Sequence, residues 1–132
     1  MIVVDASAVL EVLLQTPLSD SLSRRLFDRH ETLHAPHLLD LEVAQVLRRY
    51  CSRGDLPASR GLEAISDLAD LPVTRYPHEP FLQRIWELRT NVTAYDAAYI
   101  ALAEALEAPL ITCDRALASA PGHSARIELA EI

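Results

Sequence analysis

The 132 residues make one domain's length. Half are hydrophobic, enough for a core that buries roughly two-thirds of the unfolded surface, and this excludes intrinsic disorder. With 19 acidic and 12 basic residues the formal charge is −7, which excludes a protein that coats nucleic acid through bulk positive charge. All 12 bases are arginine, and the absence of lysine excludes Walker-type phosphate loops and Schiff-base chemistry.

Residues 1–4 are apolar and β-branched, as in a strand buried on both faces. Asp5 ends that strand, and Ser7 is the expected cap of a helix through AVLEVLL. After a turn at Pro17, a helix over 20–29 faces Leu22, Leu26 and Phe27 inward. A short strand over 31–35 is stopped by Pro36. A helix over 38–53 carries the stripe Leu39, Val43, Val46, Leu47 and Tyr50, and Gly54 closes it.

The next helix, over 57–71, uses Leu62, Ile65, Leu68 and Ala69, and a strand follows over 72–76. Residues 80–89 read as a helix with Phe81, Ile85 and Leu88 inward. The clearest helix spans 94–108 with Thr93 as its cap, and the clearest late strand is PLITC, over 109–113, ending at Asp114. A short helix over 116–120 and a strand over 126–129 finish the chain. Alternating strands and helices, with no repeat and no linker, predict a single α/β domain over 1–132 on a mostly parallel sheet.

The first ten residues lack a basic leader and contain Asp5, which fits neither a secretory signal nor a membrane span. Cys51 and Cys113, far apart and without a CxxC partner, read as reduced thiols, so the expected compartment is the cytoplasm.

Most of the acids belong on surfaces, but four stand apart. Asp5 and Asp114 each follow an apolar strand, at the sheet edge where open parallel sheets bind ligands. Taken singly, each also fits an ordinary helix cap. Asp96 lies in the first turn of its helix on the stripe of Tyr99, Ile100 and Ala103, and Glu42 lies beside the apolar stripe of its own helix. Asp40, two residues earlier, reads as an exposed or capping acid. Four carboxylates converging on one edge repel each other, and no arginine lies within three residues of Asp5, Glu42 or Asp96. A divalent cation resolves that repulsion, and an all-oxygen ligand set selects Mg²⁺ or Mn²⁺.

The segments VVDASAV, LEVAQVLRR, TAYDAAYIALAEAL and LITCDRAL resemble the PIN-domain ribonucleases, and among these the VapC toxins of toxin–antitoxin pairs, in order and over the whole chain. The resemblance implies a three-layer α/β/α sandwich on a parallel sheet of about five strands. It also implies an acidic cluster that binds Mg²⁺ or Mn²⁺ and cuts single-stranded regions of RNA through an activated water, leaving a 5′ phosphate and a 3′ hydroxyl. Asp5, Glu42, Asp96 and Asp114 match the four acids in turn, Ser7 the hydroxyl two residues after the first, and Thr112 the hydroxyl before the fourth. The stretch RALASAPGH after Asp114 lacks the further acid that some members carry. A homodimer, and inhibition by a small VapB-like antitoxin whose tail fills the acidic groove, are implied in the same way.

RNA needs cationic contacts. Arg115, beside Asp114, is the first candidate, with Arg24, Arg25, Arg29, Arg48, Arg49 and Arg53 on two helices as solvated faces or further contacts. His30, His34 and His37 follow no zinc spacing, and Trp86 reads as a core or dimer contact. Receiver and haloacid-dehalogenase-like phosphotransfer domains also place Asp at strand ends, but both need a lysine that this chain lacks. A non-catalytic PIN-like binding module and a stand-alone RNA-processing nuclease are the alternatives to a toxin.

Overall fold

The computed structural model describes residues 1–131. Five strands form one sheet in the order β3-β2-β1-β4-β5, with β1 at Ile2–Val4, β2 at Leu33–Pro36, β3 at Val73–Tyr76, β4 at Leu110–Thr112 and β5 at Ile127–Leu129. All four pairings are parallel. The helices are α1 (Ala6–Leu13), α2 (Ser19–Leu26), α3 (Leu38–Ser52), α4 (Ala58–Asp70), α5 (Leu82–Glu87), α6 (Ala94–Leu106) and α7 (Arg115–Ala118).

Side-chain alternation along the strands divides the core in two, because successive residues point to opposite faces. Ile2, Val4, Leu33, Ala35, Val73 and Ile111 meet α1, α2, α3 and α4 on one face. Val3 and Leu110 meet α6, with Leu88 and Leu117, on the other. This is the expected α/β/α sandwich. Helix α6 is buried from Ala97 through Ala103, and its alanines let it lie close beneath the central strands.

Several local expectations are corrected. The cap of α1 is Asp5, whose carboxylate accepts from the Ala8 backbone N–H, while Ser7 is already helical. Helix α2 stops at Leu26, leaving Phe27 exposed rather than inward. Pro36 is the last residue of β2 and not a residue beyond it. In α4 the buried face is Gly61, Ala64 and Leu68, whereas Leu62 is 67 % exposed and Ile65 and Ala69 also face solvent. Both sets have helical spacing; the small-residue face wins because it allows close approach, and a Cβ on Gly61 would lie 3.1 Å from Cys51 Sγ.

The 80–89 helix is divided into a 3₁₀ turn at Glu79–Phe81 and α5, with Leu88 buried just beyond. The last short helix begins one residue early, at Arg115, and ends at Ala118. Gly54 ends α3 as expected, at a φ of +79° that a side chain would strain. No helix among the described residues is long and apolar enough to cross a membrane, and both cysteines are free thiols.

Candidate active site

The chain builds β1, β2 and β3 outward in one direction and then places β4 on the other side of β1. The carboxyl ends of β1 and β4 therefore border the crevice where strand order reverses, the position that open α/β sheets use for ligands. Asp5 follows β1 and Asp114 follows β4 at that point.

Asp5 is 6 % exposed and fully engaged. Its Oδ1 accepts from Ser7 Oγ at 2.7 Å and from the Ala8 N–H at 3.1 Å, and its Oδ2 accepts from Thr112 Oγ1 at 2.6 Å. The two hydroxyls in turn accept from backbone: Ser7 from Cys113 N–H at 2.8 Å and Thr112 from Asp114 N–H at 3.0 Å. Each hydroxyl has one proton, and both are given to Asp5, so the 3.2 Å approach of Ser7 to Thr112 is a contact rather than a bond. The network ties the start of α1 to the end of β4. Burial pushes the Asp5 carboxyl above the ordinary carboxylate range, opposed by these donors and reinforced by Asp114.

Asp114 caps α7 through Oδ1, which accepts from the N–H groups of Ala116 and Leu117, and it is exposed. Asp96 sits in the first turn of α6, which Thr93 starts by accepting the Asp96 N–H at 3.2 Å. No donor among the described residues reaches the Asp96 carboxylate, and desolvation with the charges of Asp114 and Asp5 raises its pKa. Glu42 projects from α3, half-buried, and accepts from the Tyr99 hydroxyl at 2.7 Å. Burial first, then the charges of Asp96 and Asp5, raise it too. Burial and the Glu42 charge hold the Tyr99 phenol far above its normal range, so it is always a donor.

The four expected acids thus lie at one edge, where Asp114 acts on Asp5 and Asp96, and Asp5 and Asp96 act on Glu42. None takes part in an ion pair among the described residues. Also among those residues, no three His, Cys, Asp or Glu side chains already stand at metal-ligating separation. The donor set nonetheless fits a hard divalent ion in charge and chemistry: all oxygen, uncompensated and partly desolvated.

Beside the acids runs an open groove of about 900 Å³ between α1, α3 and the α5–α6 edge, lined by Ser7, Leu10, Glu42, Arg49, Tyr95 and Ile85 among others. Two residues stand out, one of them an arginine that the sequence offers only within a group of further contacts. Arg49 lines it and has no acidic partner among the described residues, whereas Arg25, Arg53, Arg60, Arg75, Arg84, Arg115 and Arg126 are all paired. Tyr99 reads in sequence as plain core; the available signal was a phenol on the apolar stripe of an alanine-rich helix one turn from Asp96, where a buried hydroxyl needs a partner.

Arg115 is highly exposed, and Glu131 holds it at 2.6 Å. Asp40 is corrected from an ordinary exposed acid to the bidentate partner of Arg75, at 2.8 and 3.0 Å. Trp86 is not a core residue: it is 68 % exposed, with the Arg89 guanidinium 4.5 Å from its ring centre. His34 is buried, with Thr32 and Tyr76 hydroxyls on its two ring nitrogens.

Comparison with known proteins gives the family and the fold. The PIN domain profile matches residues 2–122. The chain belongs to the PIN-domain family. This PIN domain is 47 % identical to ribonuclease VapC12 of Mycobacterium tuberculosis over 129 residues, 98 % of each chain. It is 50 % identical to VapC ribonuclease Mb0985 of Mycobacterium bovis over 114 residues, 86 % of each. In fold the PIN domain matches VapBC2 of Rickettsia felis, solved with a DNA fragment from its promoter, at a TM-score of 0.73 and 14 % identity, covering 99 % of this chain and 100 % of that one.

Proposed function

We propose that this PIN domain is a divalent-metal-dependent endoribonuclease and the toxin of a toxin–antitoxin pair. The carrying observation is the set of four carboxylates at and beside the strand-order reversal, none of them in an ion pair among the described residues, and the near full-length identity to VapC ribonucleases supports the substrate class.

Asp5, Asp96 and Asp114, with Glu42, would hold Mg²⁺ or Mn²⁺. When bound, such an ion supplies Lewis-acid chemistry, acidifying water and offsetting charge on a leaving 3′ oxygen. The chain's own residues set the rest. Ser7 and Thr112 lock both Asp5 oxygens so that this carboxylate does not reorient as substrate arrives. Asp96, with no donor among the described residues, keeps its lone pairs for a ligand. Glu42 would complete the shell of the ion or orient the attacking water. Setting the four acids aside leaves 15 acidic against 12 basic residues, so more than half of the net negative charge is concentrated in the proposed site.

Purified protein is expected to cut single-stranded RNA with Mg²⁺ or Mn²⁺, leaving 5′ phosphates, and to stop when EDTA is in excess. Undiminished cleavage in chelator would refute the metal mechanism. Expression is expected to be toxic and to be relieved by a small VapB-like antitoxin. A non-catalytic binding module would neither bind the ion nor cut, and a stand-alone processing nuclease would cut without toxicity.

Arg49, at the groove wall, and Arg115, released from its exposed pair with Glu131, are proposed phosphate contacts. Replacing either by Ala is expected to lower the salt-dependence slope of RNA binding by about one. Unchanged slopes in fluorescence anisotropy across a salt series would remove them from the interface. The exposed apolar side chains Leu41, Leu82, Trp86 and Tyr95 sit on α3, α5 and α6, and a homodimer would cover them.

A further inference from the structure

Tyr99 is the largest fully buried side chain among the described residues, and its one polar side-chain atom is aimed at the acids. The hydroxyl donates to Glu42 Oε1 at 2.7 Å. Phenylalanine would fill that space without an oxygen to satisfy, so packing alone does not account for the hydroxyl. Tyr99 is one turn beyond Asp96 on α6 and Glu42 lies on α3, so one hydrogen bond joins the helices that carry two of the four acids. The contact also takes up one glutamate oxygen and leaves Oε2 for the site. A glutamate has three side-chain torsions, and no other hydrogen bond among the described residues restrains this one.

We propose that Tyr99 is the positioning residue of Glu42, holding one carboxylate oxygen so that the other is presented to the RNA phosphate and its divalent ion. The proposal rests on the reading of Glu42 as a site carboxylate. It predicts that the hydroxyl acts only through Glu42, so its removal should matter in the wild type and not in a protein that has lost Glu42.

The test is a double-mutant cycle of Tyr99→Phe and Glu42→Ala, with Glu42→Asp as a further variant whose shorter side chain keeps the charge but draws it away from the phenol. Thermal unfolding first establishes that each variant folds. Mn²⁺ binding is measured by calorimetry without RNA, and kcat and KM on a single-stranded RNA. Tyr99→Phe is expected to weaken Mn²⁺ binding and lower kcat about 10-fold with KM unchanged, and Glu42→Asp to do the same. Adding Tyr99→Phe to Glu42→Ala is expected to change nothing further.

Wild-type kcat and Mn²⁺ affinity in Tyr99→Phe would overturn the proposal, as would losses that multiply in the double variant. If Tyr99→Phe does not fold, Glu42→Asp decides: wild-type Mn²⁺ affinity and kcat there overturn the proposal. A wild type that neither binds Mn²⁺ nor cuts overturns this inference and the nuclease reading together, whereas one that does both while Tyr99→Phe is indistinguishable from it overturns this inference alone.

Discussion

Replacing Asp96 with Asn is expected to lower RNA cleavage by at least about a hundred-fold while raising the melting temperature of the metal-free protein. Asp96 is the most informative of the four acids to change. Asp5→Ala would also stop cleavage, but it removes the cap of α1 and strands the hydroxyls of Ser7 and Thr112, which confuses loss of chemistry with loss of structure. The Asp96 carboxylate takes no hydrogen bond from the described residues, and Asn matches its shape.

The stability gain follows from the sign of the shift. Desolvation, then Asp114 and Asp5, raise the folded-state pKa of Asp96 above its ordinary value, so its ionised form is less favourable in the fold than in the unfolded chain. That cost is absent below the ordinary carboxylate pKa and fully present above the raised one. Asn removes it, so the gain appears at neutral pH and disappears in acid. Added Mg²⁺ reverses the comparison, because an ion that binds only the folded wild type stabilises it by mass action and leaves Asp96→Asn behind. The measurement is scanning calorimetry at neutral and acid pH, with and without Mg²⁺, beside a cleavage assay. Wild-type cleavage in Asp96→Asn would remove Asp96 from the mechanism. A lower metal-free melting temperature at neutral pH would show that electrostatic crowding is not what the residue contributes.

Those acids are legible in sequence for a simple reason. Asp5 and Asp114 announce themselves because each ends an apolar run, and in a parallel sheet all such ends lie on one edge. Asp96 and Glu42 announce themselves by lying on or beside an apolar stripe. What hydropathy does not encode is the choice between two faces of equal period. In α4, Leu62, Ile65 and Ala69 look inward by composition, yet Gly61 and Ala64 face the core, where a Cβ on Gly61 would already lie 3.1 Å from Cys51 Sγ. Nor does local sequence reveal partners far along the chain. Ser7 reads as a cap until Asp5 takes that role, freeing its hydroxyl to bridge Asp5 to Cys113. Glu42 and Tyr99 are 57 positions apart, and only the fold brings α3 and α6, from the two faces of the sheet, together at this edge.

The largest effect on stability away from the acids is expected at Glu104. Arg84 on α5 donates to it twice, from Nε at 2.8 Å and from Nη2 at 2.9 Å, and Ser124 adds its N–H at 2.9 Å and its hydroxyl at 3.0 Å. The Glu104 side chain is only 13 % exposed, so the pair is far better shielded than a surface ion pair. These donors, Arg84 foremost, hold its carboxyl down at about 2, against an ordinary value of 4.5. A lowered carboxylate contributes stability that is complete above its unfolded pKa and is lost as pH falls through the folded one. Glu104→Gln is therefore expected to cost about 2 kcal/mol at pH 7, allowing for the partial exposure of Arg84, and almost nothing near pH 2. Urea unfolding across that range checks it, and a cost independent of pH would mean that the charge is not the source. Because the contact pins α5, which carries Ile85 of the groove wall, to α6, and touches none of the four acids, Glu104→Gln should keep its cleavage activity below its own melting temperature. Stability and chemistry are thereby expected to fall to separate carboxylates of one helix: the proposed chemistry to Asp96 in its first turn, at a cost to the fold, and stability to Glu104 in its last turns, away from the four acids.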